Sequence, residues 1–150
     1  MSSRLKTRVA ALKSFLGAVQ LLQAEIVFRQ SALPDILPLV VRECPGAASA
    51  FFRQVSQRMT QNGESFRSAF NALAPALRQF ELNRNEIEWI CTLGLVAGRY
   101  DAPTQSERLS CVIGRLEQAL LQAQEEYGQK GKLYRALGMT AGIMIALAAI

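Results

Sequence analysis

The sequence predicts an all-α protein: a compact bundle of about six helices with long first and last helices, the last running into a short hydrophobic C-terminal membrane segment. Three observations carry this expectation. Two long stretches, one near each end of the helical region, place apolar residues at alternating steps of three and four. No stretch sustains the period-two alternation of a half-buried strand, and Asn62-Gly63 closes a helical pattern rather than joining two alternating runs. From Ala136 to Ile150 the chain reads ALGMTAGIMIALAAI, without a charge.

The first helix should run from about Ser3 to Gln30. Its residues Leu5, Val9, Leu12, Leu16, Val19, Leu22 and Ile26 make a near-heptad seam, the pattern of a helix packed against another long helix. Ser31 to Pro34 ends it, because the residue before a proline is pushed out of the helical region. A short second helix starts at Pro34, a residue suited to a first turn, and Pro38 limits how regular that start can be. Cys44-Pro45-Gly46 breaks the chain again. A third helix covers about Ala47 to Gln61 and stops at Asn62-Gly63. The fourth begins near Ser65 and is kinked or interrupted at Pro75.

Asn83 should cap the fifth helix, with Glu86 three residues on completing a capping box. That helix should continue through Ile87, Ile90, Cys91, Gly94, Leu95 and Gly98, and Cys91, Gly94 and Gly98 form a narrow strip that admits a close neighbour. Thr104 to Glu107 reads as a second capping box after Pro103. Leu109, Ile113, Leu116, Leu120, Ala123 and Tyr127 then form the second seam, the expected partner of the first. Run antiparallel, the two helices bring the basic N-terminus and the basic 130–135 segment to one end. Residues 1–135 form the helical domain in this reading, and 136–150 the membrane segment.

Composition narrows function. The 150 residues are half apolar and contain no histidine, which removes histidine general bases, triads and metal ligands together. Cys44, Cys91 and Cys111 form no C-x-x-C pair, so zinc and thioredoxin-like sites lack support. Cys91 and Cys111 sit in apolar helical patterns and are expected to be reduced and buried. Phosphate-loop, dinucleotide and nucleophile-elbow motifs are absent. Glu86/Glu88 and Glu125/Glu126 are spaced to point to different helix sides, which does not pair carboxylates for acid–base work, and they are expected to be solvated surface. An enzyme is not expected, nor is a cofactor or a metal.

The net charge of +5 is concentrated at the chain ends. Arg4, Lys6, Arg8 and Lys13 open the chain, Lys130, Lys132 and Arg135 precede the apolar tail, and every acid lies between Glu25 and Glu126. A nucleic-acid binder should spread its cations along a face with stacking aromatics; basic ends around a near-neutral body read as membrane flanks. At about 1.5 Å per residue the tail spans roughly 22 Å, short of a hydrocarbon core of roughly 30 Å. It fits a short span or a partly inserted anchor, with a buried C-terminal helix as the alternative. Two polar spots stand out. Glu25 is either a surface charge paired with Arg29 or a buried or interface acid, and the Gly98-Arg99-Tyr100-Asp101 connection is either helix-end chemistry or a docking loop.

Three segments in series carry a family resemblance: LLQAEIVFRQSALPDIL at 21–37, LGLVAGRYDAPTQSERL at 93–109 and KLYRALGMTAGIMIALAAI at 132–150. In order and spacing they resemble the stage III sporulation protein AB family of endospore-forming bacteria, and the likeness runs from about Arg4 to the end of the chain. The resemblance implies a six-helix cytoplasmic domain between two membrane helices, similar to the repeats of the inner-membrane platform protein of type II secretion systems. It implies a non-enzymatic platform or adaptor of the transenvelope complex between mother cell and forespore. Such a protein sits in the outer forespore membrane with its helical domain in the mother-cell cytoplasm. The implied partners are a secretion-type hexameric ATPase, other membrane components of that complex and the lipid bilayer, with no nucleic acid and no small-molecule substrate. Glu25, Gly98, Arg99, Asp101 and Gln105 match positions where the family keeps similar residues, which makes them interface or architecture candidates. The family's first membrane helix has no counterpart, since Met1 to Arg4 stands where that span should end. A generic tail-anchored coiled-coil adaptor is the alternative reading.

Overall fold

A computed structural model describes residues 3–30, 32–97 and 102–128, apart from the side chains of Ala102, Tyr127 and Gly128. Six α-helices account for most of them: α1 Ser3–Ala24, α2 Leu33–Glu43, α3 Ala47–Asn62, α4 Phe66–Leu73, α5 Arg84–Val96 and α6 Ala102–Gly128. A π-helical turn, Glu25–Arg29, extends α1, and a 3₁₀ segment, Ala74–Phe80, follows α4. The described residues contain no strand. The expected membrane segment at 136–150 lies outside them.

Local chemistry explains most of the boundaries. Asn83 Oδ1 accepts the Glu86 N–H at 2.8 Å while Asn83 N–H donates to Glu86 Oε1 at 2.9 Å, so the capping box at the start of α5 is complete. Ser65 caps α4 by accepting the Ser68 N–H at 3.1 Å, and Pro75 marks the change from α-helix to 3₁₀. The first helix ends differently from expectation. Its last turn widens to π geometry, and Gln30, left-handed at φ 51°, donates its N–H to the Glu25 carbonyl. The expected capping box on α6 is also corrected. The helix starts at Ala102, which leaves Thr104 in the first turn rather than at the cap, and α5 stops at Val96 before reaching Gly98.

The α1–α6 pair is the backbone of the bundle, and it runs antiparallel: Arg8 meets Glu126 and Gln23 meets Ser106 and Ser110. Both seams contribute, but the core lies to one side of each. On α1 the buried residues are Ala11, Leu12, Phe15, Ala18, Val19 and Leu22, while Leu5, Val9 and Leu16 are only partly covered. α3 also packs on α1, so the buried arc is wider than a two-helix seam. On α6 the covered face is Leu109, Val112, Leu116, Ala119 and Ala123. Cys111 lies on the opposite side and is exposed, against expectation; Cys91 is half-buried. Apolar neighbours in sequence suggested burial for Cys111, but the helical turn carries it away from the core.

Ser3–Arg29 is long and apolar enough to cross a membrane by length and composition, and half of its most apolar window is buried inside the bundle. Here it is the central core helix. Six of the seven phenylalanines, Phe15, Phe51, Phe52, Phe66, Phe70 and Phe80, form one ring network around it, with Phe51 and Phe70 centroids 4.9 Å apart. The seventh, Phe28, is 83% exposed on the π turn.

Candidate functional site

Two polar clusters occupy opposite ends of the α1–α6 pair. At the end where α1 begins and α6 finishes, Arg8 lies between three helices. Its Nη2 donates to Glu86 Oε2 at 2.6 Å and its Nε to Glu86 Oε1 at 3.1 Å, while Nη1 reaches Glu126 at 3.1 Å. Glu86 is wholly buried, yet the forked guanidinium and the Asn83 N–H satisfy both its oxygens. The hydrogen bond to Glu86 raises the Arg8 pKa above its ordinary value, with partial burial opposing. The guanidinium therefore keeps its proton throughout the range in which the protein is folded, and the cluster acts as a clamp rather than a proton relay.

This corrects the assignment of Arg8 to the membrane-flanking cations, because its side chain is largely covered and engaged with carboxylates. Arg4, Lys6 and Lys13 are exposed as that role requires. Lys130, Lys132 and Arg135 lie outside the described residues. The expectation that Glu86 is solvated surface is corrected, since it is buried on the core face of α5; the signal that could have found it is its phase with Ile90 and Leu93 on that helix.

The opposite end collects the interface candidates that are described. Gln23 Nε2 donates to the Ser106 carbonyl at 2.8 Å and to Ser110 Oγ at 2.6 Å, fixing the register of the π turn against the start of α6. Glu25 is buried in that turn with Arg29 3.8 Å away, so the ion-pair reading and the buried-acid reading hold together. Gln105 is buried in the first turn of α6, and neither it nor Glu25 is left without an interaction partner. Gly98, Arg99 and Asp101 lie outside the described residues. Sequence reasoning missed the feature that gives this end its character: Val27 and Phe28 project outward from the π turn. The near-heptad pattern assigned no role to Phe28, since it falls between seam positions. A π turn with buried polar side chains and an outward aromatic is suited to holding a partner, because it presents an apolar anchor on a fixed support.

Comparison with known proteins gives a consistent result. The family model for stage III sporulation protein AB matches residues 1–150. A curated relative from Bacillus subtilis (strain 168), stage III sporulation protein AB, is 21% identical over 141 residues, which is 93% of this chain and 82% of the relative. A solved structure of a stage III sporulation protein AB superposes with a TM-score of 0.73 at 20% identity, covering 84% of this chain and 99% of that one. The helical bundle is thus a fold already seen among proteins of that description.

Proposed function

Because the chain belongs to the stage III sporulation protein AB family, we propose that it works as a non-enzymatic membrane platform or adaptor in the secretion-like complex spanning the space between mother cell and forespore. The observation that carries this reading is the family match over the whole chain. The antiparallel α1–α6 pair supports it, since the chain enters α1 and leaves α6 at the same end of the bundle. Arg4 and Lys6 are exposed there, and Lys130, Lys132 and Arg135 follow α6 in sequence ahead of the apolar tail. Cations flanking a membrane segment favour the cytoplasmic side, so the helical domain faces the mother-cell cytoplasm and the tail enters the outer forespore membrane.

The far end, with Phe28, Glu25 and Gln105, then points away from the bilayer and receives the secretion-type hexameric ATPase of the complex. The work is positional: a rigid bundle fixes the distance and orientation between a membrane and a motor. A fluorescent fusion of the protein, followed through sporulation, tests the proposal. Signal on the membrane that engulfs the forespore is expected. A diffuse cytoplasmic signal, or an even signal around vegetative cells, would overturn it.

A further inference from the structure

Among the described residues, most arginines beyond Arg4 are engaged. Arg8, Arg29, Arg42, Arg58 and Arg84 are held in ion pairs, Arg108 has an interaction partner, and Arg115 lies over the Trp89 ring, 5.9 Å from its centroid. Three differ: Arg53 on α3, Arg67 on α4 and Arg78 on the 3₁₀ segment are exposed and held by no acid among the described residues. The cause is in the sequence. Between Cys44 and Phe80 the chain carries four arginines and one acid, Glu64, and Arg58 occupies both oxygens of that acid.

The surface that carries these three cations is otherwise uncharged. Gln54, Gln57, Gln61, Asn71 and Gln79 are exposed on the same elements. Phe51, Phe52, Phe66 and Phe70 are buried, so the face shows no aromatic ring, and none of the large exposed apolar side chains lies on it. Its height on the bundle is fixed by α1. Ser14 Oγ accepts the Ala48 N–H at 2.9 Å at the start of α3, and the Phe15 ring packs on Phe52 at 6.2 Å and on Phe80 at 6.1 Å. Phe15 stands twelve residues past Ser3, about 18 Å along α1.

We propose that α3, α4 and the 3₁₀ segment form a docking face for an acidic segment of a partner protein, held by Arg53, Arg67 and Arg78. A guanidinium fork fits a carboxylate through two hydrogen bonds, and exposed amides add adaptable donors and acceptors. Arg67 lies one turn past Gly63 and Arg53 about 15 Å back from it along α3. Charges strung out in this way suit a run of carboxylates rather than a single phosphate. A nucleic acid would call for stacking aromatics between the cations. Lipid at the end where α1 begins lies about two Debye lengths away at physiological salt. Without an apolar anchor the contact is weak, salt-sensitive and fast to form. The choice of protein over lipid rests on the bilayer position proposed above. The fusion experiment tests that position and the labelling below tests this face, so the two can fail separately.

Phenylglyoxal modifies accessible arginines, and mass spectrometry reads each site in the full chain reconstituted into neutral-lipid vesicles. An oligoglutamate peptide is expected to protect Arg53, Arg67 and Arg78 more than Arg4 and Arg84, with protection fading as salt rises. Arg53→Gln, Arg67→Gln and Arg78→Gln together should weaken peptide binding about tenfold. The urea midpoint should not move, since none of the three loses an acid partner. Equal protection of all exposed arginines, or unaltered peptide binding by the triple variant, would overturn the inference. Protection of the three by anionic lipid without peptide would overturn it by assigning them to headgroups. Stronger protection by a DNA oligonucleotide than by the peptide would overturn it by assigning them to nucleic acid.

Discussion

Glu64 shows how much a single turn depends on one charge. It follows Gly63, which is left-handed at φ 68°, and accepts from Arg58 Nε at 2.6 Å and Nη2 at 3.0 Å, closing the connection from α3 to α4. The bidentate guanidinium holds the Glu64 carboxyl below its ordinary pKa. The folded value is the lower one, so the stabilisation is fully present above the usual carboxylate value of about 4.3 and is lost as pH falls through the folded value. A carboxyl-detected NMR titration should find Glu64 among the most acidic glutamates. Arg58→Gln should return it to the ordinary range and flatten the acid side of the stability profile, and an unchanged Glu64 titration would contradict this account. Asn62-Gly63 was legible as a helix stop because the stop is local chemistry. The Arg58–Glu64 clamp was not, since six residues across a turn is a distance that no helical spacing rule reaches. Cys111 shows the same limit: apolar neighbours in sequence do not reveal which way a helical residue faces.

Single helices were the most readable level of this protein. The Asn83–Glu86 box forms as its residues dictate, since both partners lie within one turn. Thr104 to Glu107 has the same residue pattern without the same role, because α6 begins earlier, at Ala102. The narrow strip on α5 is a further case. Gly94 was legible as a point of close approach, and the approaching group is Phe70: a Cβ on Gly94 would meet the Phe70 Cβ and Cγ at 3.1 Å. Phe70 is fully buried within the ring network and cannot move aside freely. Gly94→Ala should therefore destabilise the fold by about 1–3 kcal/mol in urea unfolding, although alanine favours helix. A stabilised variant would show that α4 and α5 can separate without loss. Helix preference is set within a few residues of chain, whereas the identity of the neighbour at Gly94 is set by a residue on another helix.

Across the whole molecule, α1, α5 and α6 are joined at one end by Arg8, Glu86 and Glu126. Removing the guanidinium strands a buried carboxylate, and Arg8→Met should lower stability by about 3 kcal/mol or more. Adding Glu86→Gln removes the stranded charge and should recover part of the loss, a result readable from the urea midpoints of the two variants. Equal midpoints for Arg8→Met and wild type would mean that the carboxylate is hydrated. The sequence assigned Arg8 to a basic membrane flank because it stands beside Arg4 and Lys6. The fold separates it from them, since α1 turns residue 8 inward onto α5 while leaving residues 4 and 6 outward. The Phe15-centred network and the outward Phe28 were beyond sequence reading for a related reason: the same residue type takes opposite environments according to what surrounds it.

The sequence by itself determined the all-α class, the order of the helices, the cap at Asn83, the breaks at Gly63 and Pro75, the pairing of the two long seams and the family. Those features follow from backbone stereochemistry, hydrogen bonds reaching three or four residues, and apolar periodicity. Only the tertiary structure decided which side of each seam is core, that Arg8 is held by Glu86, that Glu25 is buried beside Arg29, and that Phe28 and Leu121 face outward. Burial and ion pairing depend on atoms supplied by segments up to 118 residues away along the chain, and their positions exist only once the helices have packed.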